Sequence, residues 1–183
     1  MGKKTNKMEG INKQGANLRD ANLRNAILRN ANLRYADLTN AVLTNADLKN
    51  ADLTNADLTN AYLRNADLTY SDLRNADLKY SDLIGADLTG ANLGGADLAN
   101  ADLKNADLTD ANLIDANLTD AKNYYSFVAY DTSNRIVHCV KHNKHWMVKA
   151  GCFWGTLKEL EEKVKESHNS PVYLANIEIL KNL

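Results

Sequence analysis

Leucine stands at every fifth position from Leu18 to Leu118, at 21 sites without an exception. Two residues before each leucine is an alanine, replaced only by Ser71 and Ser81. A period of five matches neither the 3.6 of a helix nor the 2 of a strand, so neither regular element turns all these leucines toward one buried side. A coil with four short sides, one pentapeptide to a side, does so. Each side sends Leu and Ala inward and leaves the other three residues outside or in a corner. Successive turns pair their backbones at roughly 4.8 Å, so the repeats from Ala16 to Asp120 make about five turns and a rod about 25 Å tall. The predicted core is a column of leucine with alanine beside it, where only a small residue fits. Ser71 and Ser81 obey that limit, because a small hydroxyl bonds to nearby backbone.

Between alanine and leucine the residue is Asp 12 times, Asn 6 times, and otherwise Ile27, Val42 or Tyr62. This A(D/N)LXX phrase resembles the pentapeptide repeat family, and the resemblance covers Ala16 to Asp120. It implies a mainly β fold, a right-handed quadrilateral β-helix. The fifth residue of the phrase is Asn 11 times, Asp 4 times, Gly 3 times and Tyr 3 times. Asn, Asp and Gly suit turns and left-handed φ. Gly85, Gly90 and Gly95 occupy three successive corners, which reads either as a change of turn type there, from one that needs no positive φ to one that does, or as neutral drift.

A side recurs every 20 residues, so the exterior reads as columns. One runs Asn17, Asp37, Asp57, Asp77, Asp97, Asn117, and the opposite one runs Ile27, Asp47, Asp67, Asp87, Asp107. Like charges stacked this way repel, and asparagine would serve the same backbone contacts without that cost. Two explanations compete. Either a partner reads the carboxylates, or short polar side chains simply suit a solvated site beside a turn. Quinolone-resistance members of the family act as DNA mimics on gyrase, which makes a DNA-mimicking inhibitor or protector of such an enzyme the alternative function. This chain departs from that group: its central residue is always leucine, never phenylalanine, and no loop interrupts the repeats. The repeat segment holds 16 Asp against 9 Lys plus Arg. Its net of about seven charges over about 25 Å is roughly half the density of duplex phosphate, about one per 1.7 Å. A third column brings Val42 beside Tyr62, with Ile84 a coil away, which reads either as isolated surface apolar residues, the commoner case, or as a small docking patch.

Arg19, Arg24, Arg29 and Arg34 put one arginine on each side of the first turn, and Asp110, Asp115 and Asp120 lie in the last. Charges at the ends of a stacked sheet keep other chains from adding to the open edge. The opening MGKKTNKMEG lacks the apolar run of a secretory signal, no stretch approaches a membrane span, and Asn6 stands where a myristoylation signal needs Ser or Thr. The expected location is cytoplasmic, with no membrane partner.

Periodicity ends at Asp120 and aromatic residues cluster. RIVHCV and HWMVKA, separated by KHNK, read as a hairpin. Thr156 with Glu159 forms a capping box for a helix whose apolar stripe is Leu157, Leu160 and Val164. After Ser170-Pro171, the residues Tyr173, Leu174, Ile177 and Leu180 suit a short helix. The expected organisation is 1–15 as N-terminal tail and cap, 16–121 as β-helix, and 122–183 as a small C-terminal α+β module that caps the last layer of the solenoid. His138, Cys139, His142, His145 and Cys152 are the residue types that ligate zinc, but there is no CxxC pair, and His138 and Cys139 point to opposite faces of a strand. A Cys-His nucleophile lacks an orienting carboxylate, and a disulfide lacks a matching register. The reading is a non-enzymatic, cofactor-free protein that offers a rigid acidic surface to an unknown protein partner or serves as a scaffold, with homodimerisation through the module left open and no direct nucleic-acid contact.

Overall fold

The structure is a computed structural model and describes residues 9–129, 135–142, 145–150, 153–167 and 171–182. The chain divides into two compact units, one ending at Lys122 and the other spanning Asn123–Leu183.

In the first unit the coil of four sides is realised residue by residue. The second residue of each pentapeptide makes a parallel bridge to the residue 20 further on, from Asn12↔Asn32 to Asp102↔Lys122. Three kinds of rung join neighbouring turns. Leu28 N–H donates to the Asp47 carbonyl at 2.7 Å, Asn50 N–H to the Thr69 carbonyl at 3.0 Å, and Asp47 N–H back to the Ala26 carbonyl at 2.9 Å. Each corner is closed by alanine donating to the leucine three residues before it, as Ala51 does to Leu48 at 2.9 Å. The ladder begins earlier than the repeat wording suggests, since Gly10 N–H already bonds the Arg29 carbonyl. Ile11 and Gly15 therefore belong to the coil.

The leucines from Leu28 to Leu108 are at most 1% exposed, whereas Leu18 and Leu118, at the two ends of the column, are half-buried. Ser71 is buried and donates its hydroxyl to the Leu68 carbonyl at 2.7 Å. Ser81 is buried too, but its hydroxyl has no partner among the described residues.

The expected change of turn type at the glycines does not occur. Every corner has a left-handed φ, from 53° at Asn65 to 69° at Gly85 and Gly95, including the tyrosine corners Tyr35, Tyr70 and Tyr80. At the glycine corners the side chain of the corner one coil earlier leans into the space that a Cβ would take. A Cβ on Gly90 would lie 2.6 Å from the ring of Tyr70, and on Gly85 or Gly95 it would lie 2.5 Å from Oδ1 of Asn65 or Asn75. Some corners that keep side chains bond along the column, as Asn45 Nδ2 does to Asn25 Oδ1 at 3.2 Å and Asn40 Nδ2 to Asp20 Oδ1 at 2.9 Å.

The second unit is an antiparallel sheet with two helices. Strands β1 (Tyr124–Ala129), β2 (Arg135–His142), β3 (His145–Ala150) and β4 (Phe153–Thr156) pair in sequence order, followed by α1 (Leu157–Ser167) and α2 (Pro171–Lys181). The hairpin is present, with His142 opposite His145. β1 and β4 flank it on either side. Val137 and Cys139 of β2 and Trp146 and Val148 of β3 alternate onto one sheet face, where they meet Leu157, Leu160, Val164, Ile177 and Leu180 of the helices. The capping box is formed: Glu159 N–H donates to Thr156 Oγ1 at 3.2 Å and Thr156 N–H to Glu159 Oε2 at 2.7 Å.

Glu161 of α1 ties the helices together, accepting from Lys165 at 2.6 Å and from Lys181 of α2 at 2.9 Å. Those two ammonium hydrogen bonds, Lys165 first, hold its carboxyl down at about 2, below the ordinary 4.5. A depressed pKa contributes stability above the ordinary value that is lost as pH falls through the folded one. Glu161→Gln is therefore expected to lower the melting temperature of this unit modestly at neutral pH. The difference from the parent should shrink below pH 4.5 and vanish near pH 2, as followed by near-ultraviolet circular dichroism of its tryptophans. A gap that is constant across that window would remove the ion pairs as its cause.

Candidate functional site

Four walls follow from the bridges, taken here in chain order. The first carries the column Asn17, Asp37, Asp57, Asp77, Asp97, Asn117, and the second Asn22, Val42, Tyr62, Asp82, Asp102, Lys122. The third carries Ile27, Asp47, Asp67, Asp87, Asp107, and the fourth Asn12, Asn32, Asp52, Asp72, Asn92, Asn112. The eight aspartates singled out from the sequence thus lie on two opposite walls, in register. Val42 and Tyr62 are bridge partners on the second.

Each aspartate has a local structural task. Its Oδ1 accepts the backbone N–H two residues on, at 3.0 Å from Thr39 to Asp37, 2.9 Å from Thr59 to Asp57, 3.0 Å from Thr69 to Asp67 and 2.9 Å from Thr89 to Asp87. Asparagine makes the same bond, at 3.1 Å in Asn17 and 3.2 Å in Asn92. This Asx turn explains why the two residues alternate freely at one position. The threonine hydroxyl donates to the same oxygen at 2.7 Å in Asp37, 2.6 Å in Asp67 and 2.5 Å in Asp107, whereas Thr59 and Thr89 give Asp57 and Asp87 the amide alone. The signal was available as Asp-Leu-Thr, but only the observed turn shows why threonine belongs there.

Cations reach the other oxygen by a second rule. An arginine in the fourth place of the phrase lies beside the aspartate 18 residues on, in the next coil. Arg19–Asp37 closes at 2.9 Å, Arg29–Asp47 at 2.5 Å and Arg34–Asp52 at 3.7 Å, and Arg64 pairs with Asp82. Arg74 has Asn92 at that place and turns back to Asp72 instead, at 2.6 Å. Lys79 pairs with Asp77 at 2.7 Å. The Thr39 hydroxyl and amide, with Arg19 behind them, hold the Asp37 carboxyl below its ordinary range, and Arg74 does the same for Asp72. Three of the first-turn arginines thus link coils, a role beyond guarding an edge. All these pairs are solvent-exposed, and pairs of that kind add little to stability.

The eight aspartates therefore divide. Asp37, Asp47 and Asp77 are ion-paired, while Asp57, Asp67, Asp87, Asp97 and Asp107 have no ion-pair partner among the described residues. On the third wall, Asp67, Asp87 and Asp107 follow one another in consecutive coils beside Thr69, Thr89 and Thr109, with no lysine or arginine in the same stretch of wall.

In the second unit, His138 Nδ1 is 2.5 Å from the Tyr124 hydroxyl, and burial pushes the free Cys139 thiol up to about 12. A thiol held protonated in this way is a poor nucleophile or metal ligand. Cys152 lies outside the described residues. Among those described, no three His, Cys, Asp or Glu side chains gather where a metal ion would sit, and no helix is long and apolar enough to cross a membrane.

The pentapeptide repeats family profile matches residues 16–55, 56–95 and 81–120. Among solved structures, the pentapeptide repeat protein Rfr23 of the cyanobacterium Cyanothece 51142 is 27% identical. It covers 64% of this chain and 90% of its own, with a TM-score of 0.50. HetL of Nostoc sp. strain PCC 7120, a pentapeptide repeat protein involved in heterocyst differentiation regulation, is 34% identical over 61% of this chain and 59% of its own, with a TM-score of 0.24. QnrB1, a plasmid-mediated fluoroquinolone resistance protein, is 20% identical over 62% and 68%, with a TM-score of 0.28. No curated protein matches the chain. With the family profile spanning Ala16 to Asp120 and the coil of four-sided turns it describes present in the structure, this chain belongs to the pentapeptide repeat family.

Proposed function

We propose that this protein is a non-enzymatic cytoplasmic scaffold, wound right-handed as its family implies, whose first and third walls dock a protein partner that presents lysine or arginine. One observation carries the reading. In Asp67, Asp87 and Asp107, Oδ1 is held by backbone N–H and Oδ2 has no bond among the described residues, three coils in a row. Stacked unpaired carboxylates repel, so their solvation alone gives no reason to prefer them to asparagine, which makes the same turn. A cationic partner supplies that reason by complementing the stack and steering association.

The test exploits that equivalence. The triple variant Asp67→Asn, Asp87→Asn, Asp107→Asn keeps the Asx turns and removes three charges. Fluorescence anisotropy with a labelled lysine-rich peptide should show the parent binding at low salt and the variant about tenfold weaker with a shallower salt dependence. Its melting temperature should be unchanged or raised. Equal affinity in the two proteins would defeat the reading.

A further inference from the structure

The second wall differs from its neighbours in both charge and apolarity. Leaving aside the corner aspartates Asp20, Asp110, Asp115 and Asp120, between Ala16 and Lys122 the first and third walls each carry four aspartates against two cations, and the fourth is balanced. The second reverses the sign, with Arg24, Arg64, Lys104 and Lys122 against Asp82 and Asp102. It is also the wall whose outward column abandons Asp and Asn for two coils together, at the bridged pair Val42 and Tyr62. Tyr62 is 50% exposed, Ile84 is half-buried one coil on, and Tyr80, 59% exposed, stands at the corner between the first and second walls.

These two departures meet at one residue. By the rule that an arginine bonds the aspartate 18 residues on, Arg24 should pair with position 42, and position 42 is valine. Of the six arginines in the rod, the other five reach a carboxylate, while the exposed Arg24 side chain reaches none among the described residues. At the adjoining corner, Asp20 accepts from Asn40 at 2.9 Å. One guanidinium is thus left without a carboxylate in the coil next to Val42, which in turn bridges the exposed Tyr62. Arginine and tyrosine flanking an apolar centre are what interface hot spots are made of.

We infer that the second wall is a docking face for an acidic protein segment bearing an apolar side chain, whose carboxylate meets Arg24 and whose apolar group lies against Val42 and Tyr62. The charge of the wall selects the sign of the partner. The acidic walls on either side select its size, because a long polyanion such as duplex DNA would overhang both columns of aspartate and be repelled. A short segment stays within one wall. The inference rests on the reading of the rod as a docking body, and it adds to that footprint a contact of the opposite sign.

The experiment uses the full chain and four labelled probes: a peptide alternating glutamate with tryptophan and leucine, an all-glutamate peptide, a peptide alternating lysine with tryptophan and leucine, and a short DNA duplex. The acidic apolar peptide should bind, the all-glutamate peptide at least about tenfold more weakly. Arg24→Glu and Tyr62→Ala should each weaken the first by about tenfold with unchanged circular-dichroism melts, both side chains being exposed. The triple asparagine variant of the third wall should not weaken it. Absence of binding, indifference to Arg24→Glu, equal binding of the all-glutamate peptide or preference for the duplex would each overturn the inference. So would sedimentation showing self-association that Arg24→Glu abolishes, which would assign the wall to a second copy. If the lysine peptide alone binds, the acidic-wall reading stands and this one falls.

Discussion

Leu63→Asp is expected to unfold the rod at temperatures where the parent is intact. Leu63 is 0% exposed in the middle of the leucine column, with leucines of the coils before and after it equally buried. No donor among the neighbouring leucines and alanines is available to a carboxylate, and burial of an unpaired polar or charged group costs several kcal/mol. Loss of the leucine itself adds about 2–5 kcal/mol, against a total stability of about 5–15 kcal/mol for a typical domain. Leu118→Asp is the control, because that leucine is half-buried at the end of the column. Thermal melts by far-ultraviolet circular dichroism should show the first variant unfolded or drastically lowered and the second close to the parent. A Leu63→Asp protein that melted with the parent would mean that the leucines do not point inward.

Gly90→Val should carry the next largest penalty, for two separable reasons. Its φ of 66° is strained for a β-branched residue, by about 1–3 kcal/mol. Its new Cβ would also fall 2.6 Å from the Tyr70 ring, which must then swing away. Gly90→Asn keeps only the second term, since asparagine holds the same φ at Asn50. The melting temperature should fall in the order parent, Asn, Val. A Tyr70→Ala background should shrink the cost of Asn but leave most of the cost of Val, the signature of coupled neighbours. Equal effects of Asn and Val would show that the ring alone, and not the backbone, demands glycine.

The core of the rod was legible because one strict period admits one geometry: 21 leucines at intervals of five leave no helix or strand able to bury them. The corners were legible as turns, but not the side chains of Tyr70, Asn65 and Asn75, 20 residues earlier, which fill the space beside the glycines and become visible only when coils are stacked. The same offset concealed the ion pairs. Arg64 and Asp82 look unrelated along the chain and adjoin in the coil. It also concealed that Arg24 lacks a carboxylate, since the columns set Val42 against Tyr62 and not against Arg24. In the second unit the capping box and both helices could be read locally, whereas β1 and β4 are strands by virtue of the partners β2 and β3 offer them.

The Asx turn separates two kinds of information that most folds write in the same residues. Asparagine and aspartate close the same hydrogen bond, so a wall can exchange neutral for charged sites one coil at a time while every rung of the ladder stays in place. The exterior then behaves as a panel of binary switches about 4.8 Å apart along each wall, mounted on a frame that does not register their setting. Partner choice in such a molecule can drift or be redesigned by single exchanges of an oxygen for an amide, without reopening the question of whether the chain folds.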